Sequence, residues 1–179
     1  MAYDISRLKF LIVEDNPALT TLFRSLLTGL RVQEIQTATN GEKAKHLMRS
    51  FKPDIVLTDY KMSPVSGIDL TLWLRRSAES PDPEMAVIMT SAYSEPERVI
   101  AARDAGVNEF LVKPVTVHGL YQRIHALIES NRPFIRSENY VGPCRRRGRK
   151  TAYNGPLRRA EDKAAAQHDT DVDIAELPI

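Results

Sequence analysis

A nearly continuous apolar run, Leu8-Lys9-Phe10-Leu11-Ile12-Val13, stops abruptly at Glu14-Asp15, and this feature constrains the chain more than any other. A strand so apolar along its length is buried on both faces, as in a parallel sheet with helices above and below it. The residues that follow fit that setting. Asn16-Pro17 supplies a helix cap and a first-turn proline, and Leu19, Leu22, Phe23, Leu26, Leu27 and Leu30 recur at helical spacing. The alternation then repeats. Val32 to Thr37 reads as a strand, and Thr39 with Glu42 reads as a capping box opening a helix through about Ser50. Asp54 to Thr58 is a third strand, ending at Asp59, and a helix carries Leu70, Trp73 and Leu74. Ala86 to Thr90 is a fourth strand, followed by a helix with Ser94 and Glu97 as capping box and Pro96 in its first turn. Val107 to Val112 is a fifth strand, ending at Lys113-Pro114, and Val117, Leu120, Ile124 and Leu127 line a last helix. The pattern predicts an α/β fold, a doubly wound five-stranded parallel sheet with five helices.

In such sheets the ligand site lies beyond the carboxyl ends of the strands. Collecting those ends brings together Glu14 and Asp15, Asp59, Thr90-Ser91 and Lys113-Pro114. Each residue alone has a bland explanation: a carboxylate at a strand end is commonly a cap or a solvated charge, and a lone lysine a surface charge. Their joint placement on one sheet edge is harder to dismiss. Crowded carboxylates repel unless a cation relieves them, and oxygen ligands with room for water suit Mg²⁺. Three carboxylates with one Mg²⁺ leave a single negative charge, which Lys113 would neutralise. Such a site could receive a phosphoryl group.

With these pieces in hand the sequence resembles the receiver domain of two-component response regulators, a fold of the flavodoxin-like, receiver type. The resemblance rests on Glu14-Asp15, Asp59, Ser91-Ala92 and Lys113-Pro114 in order, on the loop from Asp59 to Gly67, and on Ala105 to Pro114 around the fifth strand. It spans roughly residues 7–130. It implies that Asp59 takes a phosphoryl group from a histidine kinase or a histidine phosphotransfer protein. Asp15, Asp59 and the backbone carbonyl of Lys61 would bind Mg²⁺, with Glu14 acting directly or through water. Ser91 would hydrogen-bond the phosphoryl group, Lys113 would pair with it, and Phe110 would be the rotating aromatic of a switch; for Phe110, plain core packing is an equal reading. The protein would be a phosphoacceptor that catalyses its own phosphoryl transfer and slow dephosphorylation rather than a separate enzyme. Its output would be a contact with a downstream protein, made around the fourth and fifth strands and their helices. Two departures from the family stand out. Ser91 replaces the commoner threonine, and Pro64 sits one place later than usual.

Residues 1–130 form the expected receiver domain, with a net charge of −1. Residues 131–163 carry a net charge of +7 and residues 164–179 a net charge of −4. Only eight of the residues in 131–179 are Leu, Ile, Val or Phe, too few for a core, so this segment is expected to be a largely disordered tail. Arg132-Pro133-Phe134-Ile135 is the part expected to pack on the body. Tyr140-Val141-Gly142-Pro143-Cys144-Arg145-Arg146 echoes Tyr153-Asn154-Gly155-Pro156-Leu157-Arg158-Arg159. Arg145, Arg146, Arg158 and Arg159 are therefore candidate partner contacts, with a protein partner favoured over nucleic acid, to which the basic run could bind by phosphate neutralisation. The single cysteine, Cys144, argues against a disulfide-stapled secreted fold, and no apolar run approaches the roughly 18 residues of a membrane span. A soluble cytoplasmic protein without membrane contact is the expectation.

Overall fold

A computed structural model of the chain describes residues 4–92, 95–130 and 132–145. The chain divides into two units, residues 1–145 and 146–179, and every described residue lies in the first. Strands and helices alternate as β1 (Lys9–Val13), α1 (Pro17–Gly29), β2 (Glu34–Ala38), α2 (Gly41–Phe51), β3 (Ile55–Asp59), α3 (Gly67–Arg76), β4 (Ala86–Ser91), α4 (Pro96–Asp104), β5 (Glu109–Val112) and α5 (Val117–Glu129). The five strands are parallel, in the order β2-β1-β3-β4-β5. Strand order reverses direction between β1 and β3, which opens a crevice at their carboxyl ends. The expected doubly wound, five-stranded α/β fold is what the chain adopts.

The apolar runs divide between two cores by their period of two. Leu11, Val13, Val56, Val87 and Met89 face α2, α3 and α4 through Met48, Leu74 and Ala102. Phe10, Ile12, Leu57, Ile88 and Leu111 face α1 and α5 through Phe23, Leu27, Leu120 and Ile124. Asn16 caps α1 by accepting from the backbone N–H groups of Ala18 and Leu19, with Pro17 in its first turn. The cap of α2 differs from the expected Thr39–Glu42 box: Asn40 accepts from the Lys43 N–H, one residue further along. An amide oxygen immediately before Gly41 reaches the first turn directly. At α4 the cap position is Glu95, without a side-chain cap bond; Ser94 lies outside the described residues. Among the described residues no helix is long and apolar enough to cross a membrane.

The packed chain does not end at residue 130. β6 (Phe134–Arg136) and β7 (Val141–Pro143) form an antiparallel hairpin whose second strand packs on α3. Tyr140 is only 4 % exposed, and its hydroxyl donates to the Pro143 carbonyl at 2.6 Å. The hairpin docks against the buried guanidinium of Arg75. Arg75 donates to the carbonyls of Gly106, Pro83 and Met85 and to Oδ1 of Asn108, and stacks on the Phe134 ring. Burial lowers the pKa of Arg75 to about 10, which still leaves it charged at neutral pH. Arg132 joins the same region by donating to the Asn108 carbonyl and to Glu109. The expected tail boundary at 131 is therefore corrected for residues 132–145. Counting Leu, Ile, Val and Phe overlooked Tyr140, and overlooked the carbonyls that a buried arginine can satisfy. Residues 146–179, with Arg146, Arg158 and Arg159, lie outside the described residues.

Candidate phosphoryl-transfer site

Strand ends and helix starts meet at one pocket of ≈ 240 Å³. Glu14, Asp15 and Asn16 come from the end of β1, Asp59, Tyr60 and Lys61 from β3, Ser91 and Ala92 from β4, Lys113 from just beyond β5, and Arg98 from α4. Main-chain bonds lock the strand ends in register. The Tyr60 N–H donates to the Thr90 carbonyl, and the Lys113 N–H donates to the Ser91 carbonyl, both at 2.8 Å. Gly67, at the start of α3, allows that helix to approach the acceptor strand: a Cβ there would collide with the Asp59 carbonyl. This is a backbone approach that requires glycine.

The charged groups form one chain of contacts. The Lys113 ammonium donates to Oδ1 of Asp59 at 2.6 Å and to Oε2 of Glu14 at 2.9 Å. The other oxygen of Asp59, Oδ2, accepts from the Lys61 N–H at 2.9 Å. Oε1 of Glu14 accepts from the Asn16 N–H at 3.2 Å. Glu14 and Ser91 are each 2 % exposed and Asp59 8 %, whereas Asp15 is exposed. Burial holds Glu14 above its ordinary pKa, against the opposing pull of Lys113. Burial also works to lower Lys113, but its hydrogen bonds to Asp59 and Glu14 outweigh it and leave the ammonium above its ordinary value. A positively charged lysine between two carboxylates is thus the resting arrangement at neutral pH.

The strand-end residues named from sequence, Glu14, Asp15, Asp59, Lys61, Ser91 and Lys113, all line this pocket. Phe110 does not. It is half-buried on β5, opposite Met89, and packs on the α2–α3–α4 core. Arg145 is also elsewhere. Its guanidinium lies 4.1 Å from the Tyr140 ring centroid and pairs with Asp104 at 3.2 Å. The described part of the first echoed motif, Tyr140 to Arg145, consequently belongs to the docked hairpin region rather than to an extended peptide. Arg98 was not singled out from sequence, because nothing in its helical position marks it; its contact with the pocket is tertiary.

Among the described residues no three Asp, Glu, His or Cys side chains stand close enough to enclose a metal. Two of the three carboxylates are drawn onto Lys113, while Asp15 stands on the open wall of the same pocket. Glu14, Asp15 and Asp59 nevertheless all line this pocket, and carboxylate oxygens are the ligand type that a hard divalent cation takes.

The sequence matches the response regulator receiver domain family over residues 10–125, from within β1 into α5. It is 32 % identical over 122 residues to chemotaxis protein CheY-3 of Vibrio cholerae, covering 68 % of this chain and 92 % of that protein. It is 31 % identical over 122 residues to chemotaxis protein CheY of Pseudomonas aeruginosa, covering 68 % of this chain and 97 % of that one. Among solved structures, the receiver domain of Francisella response regulator 1452 superposes with a TM-score of 0.61 at 23 % identity, covering 68 % of this chain and 96 % of that one. Chemotaxis protein CheY4 of Vibrio cholerae superposes with a TM-score of 0.60 at 20 % identity, covering 66 % of this chain and 96 % of that one. These two structural likenesses speak for the fold, and the sequence relatives carry the family. Because the match runs unbroken across the alternating sheet and its strand-end loops, this chain belongs to the response regulator receiver domain family.

Proposed function

We propose that the protein is a two-component response regulator that accepts a phosphoryl group on Asp59 and uses the resulting change to switch a protein–protein contact. The observation that carries this reading is the placement of Asp59. Its carboxylate is nearly buried at the mouth of β3, its two oxygens are oriented by Lys113 and the Lys61 N–H, and the Ser91 hydroxyl shares the same pocket. A carboxylate oxygen of Asp59 attacks the phosphorus of a phosphohistidine, carried by a histidine kinase or a phosphotransfer protein. The P–N bond breaks, its electron pair stays on the imidazole nitrogen, and an acyl phosphate remains on Asp59.

Asp15, Asp59 and the Lys61 carbonyl would hold Mg²⁺, with Glu14 direct or through water, and the ion would supply positive charge facing the phosphoryl oxygens. Lys113 transfers its hydrogen bond from the Asp59 carboxylate to a phosphoryl oxygen. Ser91 donates its hydroxyl to another. Both contacts exist only in the phosphorylated state, so both bias the equilibrium toward it. Phe110, paired with Met89 of β4, would be the aromatic that turns with the switch. The downstream protein would read the face built by α4, β5 and α5.

Incubation with acetyl phosphate and Mg²⁺ tests the assignment. The wild-type chain should gain one phosphoryl group by intact-protein mass spectrometry, and Asp59→Asn should gain none, since an amide is neither nucleophile nor anion. Equal labelling of the two proteins would refute Asp59 as the acceptor.

A further inference from the structure

We propose that Arg98 is a second phosphoryl-binding cation of the site, held in reserve by Glu95 and the Tyr60 ring; the proposal rests on the reading of Asp59 as acceptor. Arg98 sits in the first turn of α4, yet its side chain lines the pocket that contains Asp59, Ser91 and Lys113. Its guanidinium carbon lies 5.4 Å from the centroid of Tyr60, the residue directly after Asp59. Its Nε meets Oε2 of Glu95 at 3.0 Å. Such a cation–π contact helps to hold a guanidinium in place.

Charge explains what such a group would do. The resting pocket holds three carboxylates, and one ammonium already serves two of them. An acyl phosphate adds negative charge exactly where Lys113 is most heavily committed. Lys61 also lines the pocket, but its side chain is exposed, flexible and strongly hydrated. Arg98 is less exposed, with its side chain 32 % accessible, and offers a planar fork suited to two phosphoryl oxygens. Five N–H donors allow one guanidinium to serve several acceptors, so the Glu95 contact does not exclude the phosphoryl group. Glu95 nevertheless competes for the same charge. Donation by Arg98 would neutralise the oxygens as Asp59 attacks phosphorus and the donor's P–O bond breaks toward acetate.

The test compares rates of Asp59 phosphorylation by subsaturating acetyl phosphate at saturating Mg²⁺, for wild type, Arg98→Ala, Arg98→Lys, Glu95→Gln and Asp59→Asn. The expected loss for Arg98→Ala is about tenfold, the size of one modest charge-assisted hydrogen bond. Arg98→Lys should recover part of that loss, and Glu95→Gln should react faster than wild type because the competing carboxylate is gone. A merely structural role for the Arg98–Glu95 pair predicts the opposite sign for Glu95→Gln. A wild-type rate in Arg98→Ala, with Asp59→Asn inert, overturns the proposal and leaves the acceptor reading intact. Labelling of Asp59→Asn at the wild-type rate overturns the acceptor reading itself.

Discussion

Gly142 lies so close to Gly106 that a Cβ on Gly142 would sit 2.7 Å from the Gly106 Cα. A Cβ on Gly106 would in turn sit 2.6 Å from the Val141 carbonyl, and Gly106 has a φ of +93°, which favours glycine independently. The two glycines let β7 lie directly on the turn between α4 and β5. Gly142→Ala should therefore destabilise the chain by about 1–3 kcal/mol through overpacking. Truncation after Ser130 should cost about 2–4 kcal/mol relative to truncation after Arg145, because it removes the buried Tyr140 and half-buried Phe134. Urea unfolding of the three proteins checks this. Coincident midpoints for the two truncations would mean that the hairpin contributes nothing to the body.

The same hairpin should leave a signature at alkaline pH. Burial pushes the Tyr140 phenol above its ordinary pKa of 10.0, and the charges of Arg145 and Arg75 pull it only part of the way back. A folded-state pKa above the unfolded one gives a stabilising contribution that is complete below 10.0 and lost as pH rises through the folded value. Stability should thus fall more steeply above pH 10.0 in the wild type than in Tyr140→Phe. At neutral pH the variant should be weaker by about 1 kcal/mol, for the lost hydrogen bond to Pro143. Parallel stability-against-pH curves for the two proteins would contradict the burial argument.

What could be read from sequence, and what could not, follows the range of the interactions. The sheet was legible because its central strands β1, β3 and β4 are runs such as Leu11-Ile12-Val13, whose burial on both faces is a local property of composition. The pocket was legible because strand ends in a parallel sheet meet wherever the chain is cut, so Glu14, Asp59, Ser91 and Lys113 could be grouped without coordinates. Caps were less secure. Thr39 and Asn40 both carry a side-chain oxygen able to accept from a first-turn N–H, and which one serves depends on the entry angle of the chain. The hairpin was hidden because its anchor is not apolar: the guanidinium of Arg75 is satisfied by carbonyls of two separate loops, and no local pattern reports that convergence. Arg98 was hidden for the same reason: its contact with Tyr60 joins residues far apart in the chain, which no local spacing reports.

The lysine bridge should behave as a coupled unit. Lys113→Ala leaves the buried side chains of Glu14 and Asp59 facing one another without their shared cation. The loss should be about 2–4 kcal/mol at neutral pH, the scale of an orphaned, largely buried charge. Adding Glu14→Gln should return a substantial part of it, because the remaining repulsion is removed. A double-mutant cycle by urea unfolding measures that coupling directly. Additive effects would show that Lys113 does not hold the two carboxylates together in solution.

Ser91 separates phosphorylation from its consequence. Its hydroxyl is buried at the end of β4, and its carbonyl holds the Lys113 N–H, a bond that alanine preserves. Ser91→Ala should therefore fold normally and still take a phosphoryl group onto Asp59, within about threefold of the wild-type rate, since the nucleophile and Lys113 are untouched. On the proposed reading, what it loses is the hydroxyl's contact with the phosphoryl group. If that contact supplies about 1–2 kcal/mol of the bias, the phosphorylated state should shift back toward the resting one by roughly five- to thirtyfold. Amide hydrogen exchange across β4 and α4, with and without acetyl phosphate and Mg²⁺, reads this without a partner protein. The wild type should change protection there on phosphorylation, and the variant should change little despite equal phosphate content by mass. A response in Ser91→Ala as large as in the wild type would place the coupling elsewhere, and Lys113 with Arg98 would then have to carry it.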